Sequence, residues 1–230
     1  MTPIQVIKVG GSLLRREDLL ADLQTWLSAR QSQLADPTIS VWIIGGGVQV
    51  DAIRKQDRIH GLTESVAHWA SVEAMDANAQ AIAQQLQDWR LTKNPNEIRQ
   101  ATAMPDDNSD NNPAEKREAT QNWILQTLDW LKAVDDHPQS PQSLPHSWDV
   151  TSDSIAAWAA IQLRAKQLVL LKSCHVPKTS VSELASLGIV DAYLPKLELQ
   201  RKSVGLGLVC ERLPSSCTNE TLVTRNHTGN

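Results

Sequence analysis

Two lysines stand where apolar stretches end, and their type and position suit them to bind phosphate. Lys8 lies in the apolar run 4–9, and Lys172 ends the run that starts at Leu168. Apolar runs of this length are typical of buried strands, so each lysine is expected near the carboxyl end of a strand. Fixed positive charge stabilises the charge that spreads over a phosphoryl group during its transfer. Together with the two glycine loops and the aspartate described below, these lysines fit phosphoryl-transfer chemistry.

Glycine loops follow the first and second predicted strands. They consist of Gly10, Gly11 and Ser12, and of Gly45, Gly46 and Gly47. Glycines let the backbone approach a ligand closely, and the carboxyl ends of parallel strands meet at the edge where α/β proteins bind ligands. Lys8 precedes its glycines, unlike the lysine of a Walker A loop, and Gly-x-Gly-x-x-Gly is missing. Ordinary tight turns are the simpler alternative, but two such loops favour one shared phosphate site.

Residues 146–154 are the densest polar cluster of the chain, and an alanine-rich stretch follows them. Residues 151–153 are of types that begin helices. Capping explains one of them but not the whole cluster, which also contains Asp149. An aspartate such as Asp153 between two lysines would hold both ammonium groups in place and keep them protonated. The predicted catalytic residues are Lys8, Asp153 and Lys172.

Alternating apolar runs and helical stretches predict an α/β fold, a three-layer α/β/α sandwich with a mostly parallel central sheet. Predicted helices include residues 17–30, 48–58, 63–89 and 123–134, and a short strand is expected within 98–104. We expect a single domain over residues 1–213. Residues 92–118 are predicted to be a mobile loop because they are too polar to bury much surface. Residues 214–230 are expected to form a polar, disordered tail.

Four further residues near these motifs could take part in binding or reaction. Asp51 and Arg54 lie three residues apart in the predicted helix after the second glycine loop, and are candidates for substrate binding. A solvated ion pair is an equally good interpretation. His68 could reach a substrate from the next helix, although a surface or core histidine is the simpler interpretation. Cys174 is expected to be a partly buried structural thiol.

The composition limits the partners and the compartment of the protein. Of its 230 residues 41% are hydrophobic, and the net charge of −4 gives no reason to expect nucleic acid or an anionic membrane as a partner. Three widely spaced cysteines indicate a reducing compartment. No apolar run approaches the roughly 18 residues of a transmembrane helix. We therefore expect a cytoplasmic protein that acts on a small molecule.

Four motifs in order resemble the amino acid kinase family over nearly the whole chain. They are the first glycine loop with its lysine, the glycine triplet, Asp153 before its alanine-rich stretch, and the segment 170–173. The resemblance implies that Lys8 contacts the transferring phosphoryl group and that the triplet lies against the acceptor. It also implies that Asp153 organises the site, and that Lys172 and Ser173 open the nucleotide pocket. The implied cofactors are ATP and Mg²⁺, and we expect a homo-oligomer.

Details within the motifs favour one branch of this family. Uridylate kinases have an aspartate near the position of His68, so uridylate is disfavoured as the substrate. Isopentenyl phosphate kinases have Ser-Phe-Gly-His after the glycine triplet, where this chain has Val48, so isopentenyl phosphate is disfavoured too. Residues 147–157 look most like the branch that phosphorylates aminomethylfuran phosphate in methanofuran biosynthesis. Asp51 or Asp149 would then recognise the ammonium group of the substrate.

Two other activities remain open at this stage. A carboxylate kinase of the aspartate or glutamate type would need a cationic acceptor pocket, for which Arg54 is the obvious candidate. A nucleotide-binding storage protein of the same fold would bind ATP without transferring a phosphoryl group. Retention of both lysines and of Asp153 argues against storage, because binding alone does not need that arrangement of charge.

Overall fold

A central parallel sheet organises the chain, whose computed structural model describes residues 1–33, 36–86, 88–103, 121–136 and 143–215. Its strands are β1 (Ile4–Val9), β2 (Ile39–Ile44), β3 (Arg90–Thr92), β4 (Asn122–Leu125), β5 (Gln167–Lys172) and β6 (Gly207–Arg212). They form one six-stranded sheet in the order β3-β4-β2-β1-β5-β6. Every pair of neighbours runs parallel, so all the carboxyl ends meet at one edge.

Helices cover both faces of this sheet. They are α1 (Leu19–Gln31), α2 (Gly47–His60), α3 (Glu64–Ala83), α4 (Pro95–Ala103), α5 (Leu128–Asp135), α6 (Ser152–Gln162), α7 (Val181–Ser186) and α8 (Glu198–Ser203). Two short 3-10 helices, Gly11–Arg15 and Leu194–Leu197, complete the described elements. No helix in the described ranges combines the length and the apolar character that crossing a bilayer requires.

Alternation along the strands separates two hydrophobic cores. Val6 and Leu168 belong to the core that contains Trp158 of α6, whereas Ile7 and Val169 belong to the core that contains α1. Successive side chains of a strand point to opposite faces, so Lys8 and Lys172 share the α6 face of the sheet. The predicted three-layer α/β/α fold with a mostly parallel sheet is therefore confirmed.

The predicted helix over residues 123–134 is wrong in its first part. Residues 122–125 form β4, in which Trp123, Ile124 and Leu125 are all buried, and α5 begins only at Leu128. The start of α5 is fixed by a residue far away in sequence. The carboxylate of Asp76 accepts hydrogen bonds from the backbone N–H groups of Thr127 at 2.8 Å and Leu128 at 3.2 Å.

The prediction of a loop over 92–118 also needs correction. Residues 95–103 form α4, which is a helix rather than the short strand expected within 98–104. Asn94 accepts a hydrogen bond from the N–H of Asn96, and Ile98 is fully buried. Pro95 and Thr102 are buried as well, so one cap and three anchored side chains dock this polar helix. Residues 104–118, and 216–230 of the predicted tail, lie outside the described residues.

We expect Asp76→Ala to lower the free energy of unfolding by about 1–2 kcal/mol, because two N–H groups at the start of α5 lose their acceptor. Urea denaturation followed by circular dichroism measures the change. Asp136→Ala is the matched control, since Asp136 is exposed at the opposite end of the same helix. An equal loss of stability in both variants would contradict the capping role of Asp76.

Candidate active site

Lys8, Asp153 and Lys172 form a buried ion cluster, which we call the lysine-aspartate centre. Lys8 Nζ lies 2.9 Å from Asp153 Oδ1, and Lys172 Nζ donates a hydrogen bond to Oδ2 at 2.6 Å. The exposed fractions of Lys8, Asp153 and Lys172 are only 4%, 4% and 8%. The structure thus brings together the three residues that were predicted to be catalytic from distant parts of the sequence.

Burial and ion pairing act in opposite directions on the charges of this centre. Burial alone would raise the pKa of Asp153, but the positive charges of Lys8 and Lys172 outweigh it and lower the pKa to about 2. Burial lowers the pKa of Lys8, and Asp153 opposes this shift. With one carboxylate between two ammonium groups, the centre carries an excess positive charge. Such a centre attracts anions at the carboxyl edge of the sheet.

Asp191, which the sequence analysis missed, fixes the helix that carries Asp153. Its Oδ2 accepts hydrogen bonds from the N–H groups of Thr151 and Ser154, both at 2.9 Å, and from the Thr151 hydroxyl at 3.0 Å. Its Oδ1 accepts from the Ser154 hydroxyl at 2.5 Å and from Leu194 N–H at 3.0 Å. Burial and the nearby charge of Asp153 raise the pKa of Asp191, while these donors oppose the shift. A residue 37 positions away thus sets the start of α6.

The two glycine loops pack directly against each other beside the lysine-aspartate centre. A Cβ atom on Gly11 would lie 2.7 Å from Gly47 N, and one on Gly45 would lie 2.6 Å from Gly11 N. Any side chain at either position would force the backbones apart. The Ser12 and Ser173 hydroxyls are 2.8 Å apart, and Gly10 N–H donates to the Leu171 carbonyl at 3.0 Å. The predicted phosphate-binding residues Gly10, Gly11, Ser12 and Ser173 are therefore neighbours.

A cavity of about 370 Å³ opens next to these loops. Because residues predicted to bind the acceptor line it, we call it the acceptor cavity. Gly11, Ser12, Gly46 and Gly47 form one wall, and Ser152 at the start of α6 forms part of another. Cavities of this size suit a small metabolite. The predicted substrate-binding glycines 46 and 47 thus line a real cavity, with Gly45 directly behind them.

Charged residues of the acceptor cavity form a network around Asp51. Arg15 Nη2 donates to Asp51 Oδ2 at 2.6 Å, and Arg54 Nη1 lies 4.0 Å from Asp51 Oδ1. All three side chains line the cavity. One carboxylate shared by two guanidinium groups leaves an excess positive charge, as in the lysine-aspartate centre. Arg15 was missed because nothing in its local sequence places it opposite α2.

Aromatic side chains complete the cavity wall. The Trp148 indole N–H donates to Asp57 Oδ2 at 2.6 Å, and the Arg54 guanidinium lies 5.1 Å from the centroid of the Trp148 ring. His68 also lines the cavity, together with Glu64 from the first turn of α3.

Two predicted residues are placed differently from what their sequence context suggested. The Asp149 side chain is exposed and does not line the cavity, whereas its backbone carbonyl accepts a hydrogen bond from Tyr193 N–H. Its neighbour Trp148 lines the cavity instead, because the backbone turns at these two residues. Cys174, expected to be partly buried, is exposed directly after Ser173.

Within the described ranges, no group of three or more His, Cys, Asp or Glu residues is placed to hold a metal ion. Both carboxylate oxygens of Asp153 face ammonium groups. In this arrangement Asp153 is therefore not available as a metal ligand.

Solved structures of three uridylate kinases share this fold. UMP kinase from Ureaplasma parvum has a TM-score of 0.59 and 15% identity, and the match covers 93% of this chain and 91% of that one. Uridylate kinase from Archaeoglobus fulgidus has a TM-score of 0.55, 14% identity and coverages of 92% and 91%. UMP kinase from Bacillus anthracis has a TM-score of 0.55, 11% identity and coverages of 94% and 89%. At such identities the likeness shows the fold alone.

Sequence comparison identifies the family. No curated protein sequence matches the chain. The pattern that defines the amino acid kinase family matches residues 3–175, which include both glycine loops and the whole lysine-aspartate centre. The chain therefore belongs to the amino acid kinase family, and it is a phosphotransferase that acts on a small molecule.

Proposed function

We propose that this protein transfers the γ-phosphoryl group of MgATP to a small monophosphate, with aminomethylfuran phosphate as the best candidate acceptor. The observation that carries the proposal is the buried lysine-aspartate centre at the carboxyl edge of the sheet, next to the paired glycine loops that line the acceptor cavity. Fixed ammonium groups at this point would stabilise the charge on the phosphoryl oxygens during transfer. The glycine loops leave space for the triphosphate and offer backbone N–H groups to it.

In this reaction the bond from the γ-phosphorus to its bridging oxygen breaks, and a bond to an oxygen of the acceptor phosphate forms. ADP leaves with the electron pair of the broken bond. A phosphate monoester has a second pKa near 6 and is largely a dianion at neutral pH, so its oxygen can attack without a general base. Asp153 is paired with two lysines and has a pKa of about 2, so it is a poor base. The site therefore suits an acceptor that is already ionised.

The arginines of the acceptor cavity support an anionic acceptor. Arg15 and Arg54 share the single carboxylate of Asp51, and each guanidinium retains donors for a phosphate oxygen. Asp51 then acts as the group that holds both arginines rather than as the ammonium-binding residue suggested by its sequence context. The Trp148 ring on the same wall offers a flat apolar surface to a heterocycle.

Glu64 is the better candidate to recognise an ammonium group. It lines the acceptor cavity. Its carboxylate forms no salt bridge with any residue that the structure describes. Asp149, by contrast, does not line the cavity. We propose that Glu64 pairs with the aminomethyl group while the arginines hold the phosphate.

A carboxylate kinase is the second candidate, because Arg15 and Arg54 would bind a carboxylate as well as a phosphate. The acceptor decides between the two activities. We expect ADP release from MgATP with aminomethylfuran phosphate and little release with UMP, isopentenyl phosphate, aspartate or glutamate. A coupled assay for ADP measures the turnover. Turnover with an amino acid alone would replace the proposal by the carboxylate kinase, and tight ATP binding without any turnover would favour a storage protein.

Replacing a lysine of the centre tests its catalytic role. We expect Lys8→Met to reduce kcat by at least about 100-fold, because one fixed positive charge is removed from the transferring phosphoryl group. Lys172 still pairs with Asp153 in this variant, so the buried carboxylate keeps a partner and the fold should survive. Steady-state ADP release measures kcat, and thermal unfolding checks the fold.

Lys166→Met is the matched control, because Lys166 is exposed and precedes β5 at the opposite edge of the sheet. Its kcat should equal that of the wild-type protein. A folded Lys8→Met variant with kcat within about threefold of wild type would contradict the assigned role, given the usual size of such charge effects.

Glu64→Gln tests recognition of the ammonium group. We expect the KM for aminomethylfuran phosphate to rise by about threefold to fivefold, because an exposed ion pair contributes up to about 1 kcal/mol. The KM for ATP should stay unchanged in the same assay. Asp149→Asn removes a carboxylate that lies nearby but outside the cavity, and it should leave both constants as they are. A higher KM for aminomethylfuran phosphate in Asp149→Asn, with an unchanged KM in Glu64→Gln, would assign the ammonium site to Asp149 instead.

A further inference from the structure

Two stacked histidines lie beside the acceptor cavity, which His68 lines. The rings of His68, on α3, and His146, in the segment before α6, are 4.6 Å apart between centroids and only 15° from parallel. The Trp69 ring meets both of them edge-on, at 5.0 Å and 4.8 Å. Contacts on its face and on its edge therefore restrain the His68 ring in a single orientation.

His146 is itself held from two sides. One ring nitrogen, Nε2, lies 2.5 Å from Asp135 Oδ2 at the end of α5, and the other, Nδ1, lies 3.2 Å from Ser65 Oγ at the start of α3. Both nitrogens of His146 thus have partners, and neither faces a ligand. His146 is a fixed support against which the ring of His68 rests.

His68 differs from its support because its polar atoms have no such partners. The side chain is 6% exposed and lines the acceptor cavity. Among the described residues, none forms a hydrogen bond with its ring. Its ring nitrogens are not among the fully buried polar atoms that lack a partner in the described part of the chain, so they are open to the cavity that the residue lines. The cavity is the place from which a partner can come.

Burial also keeps this ring uncharged. Burial and, to a smaller extent, the nearby His146 lower the pKa of His68 to about 4, while Asp135 opposes the shift. At neutral pH the ring therefore offers one N–H donor and one nitrogen acceptor. It can recognise an uncharged or cationic polar atom, but it adds no charge for a second anion.

We infer that His68 is a specificity-determining residue, whose neutral ring forms a hydrogen bond with the non-phosphate part of the acceptor, and that His146 is its positioning residue. The inference rests on the proposed function, because it takes the cavity to be the acceptor site. Arg15 and Arg54 then bind the phosphate of the acceptor, and His68 forms a hydrogen bond with a polar atom of the acceptor's ring or of the ring's substituent. A site that hydrogen-bonds its substrate discriminates against analogues that lack the matching atom.

Kinetics with aminomethylfuran phosphate as the probe test this role in the full-length protein. We expect His68→Leu to raise the KM for this acceptor by about 10-fold, the usual effect of losing a buried hydrogen bond. The KM for ATP should stay constant, since the glycine loops are untouched. His68→Gln keeps a donor and an acceptor and should recover part of the loss. His146→Leu should raise the acceptor KM by a smaller factor.

His60→Leu is the matched control, because His60 is an exposed histidine at the end of α2, outside the cavity. Its kinetic constants should equal those of wild type. Melting temperatures of all variants separate binding from folding: a lower melting temperature with an unchanged acceptor KM in His68→Leu would overturn the inference. If His68→Leu does not fold, an acceptor KM in His68→Gln equal to that of wild type has the same consequence.

The outcomes also separate this inference from the proposed function. If the wild-type protein turns over aminomethylfuran phosphate and His68→Leu has the same acceptor KM, only the role of His68 is overturned. No turnover of aminomethylfuran phosphate by the wild-type protein overturns the proposed acceptor and this inference together.

Discussion

The shared carboxylate of Asp153 is the interaction on which the site depends. Two ammonium groups buried side by side repel each other and lose their hydration, and burial of this kind is costly without a partner. Asp153 touches both Lys8 and Lys172, one through each of its oxygens. It thereby makes possible a concentration of positive charge that water would otherwise screen. The fold around it serves to keep this carboxylate in place.

Three features of the fold keep it there. Strand alternation brings Lys8 and Lys172 to the same face of the sheet, and parallel pairing of β1 with β5 makes their strands neighbours. Asp191 holds the start of α6 through backbone N–H groups, so that Asp153 enters from above this face. The glycines at 11 and 45 let the second loop approach the first without a gap.

Much of this arrangement was predictable because it follows from local rules. Apolar runs that end in lysine or glycine gave β1, β2 and β5, and the parallel sheet then brought their carboxyl ends together. The predicted centre of Lys8, Asp153 and Lys172 required only those rules and one helix start. Local residue types sufficed wherever the decisive contact was close in sequence or was imposed by the pairing of strands.

The rest depended on contacts that no local pattern encodes. The apolar pattern of residues 123–134 predicts one helix, but the start of α5 is fixed by Asp76, about 50 residues earlier, and β4 precedes it. Arg15 reaches the cavity only because the loop after β1 lies opposite α2. Asp149 and Trp148 are adjacent in sequence, and only the path of the backbone decides which of them faces the cavity. The pairing of His68 with His146 joins α3 to a segment some 80 residues away.

The hold of Asp191 on α6 changes how the carboxyl-terminal part of the chain is seen. The family pattern ends at residue 175, yet the anchor for the helix that carries Asp153 lies beyond that point. The residues after the pattern therefore help to hold the lysine-aspartate centre in place. A truncated protein that stopped before Asp191 would keep every residue of the family pattern. It would lose the contacts that hold the start of α6, and with them the position of Asp153.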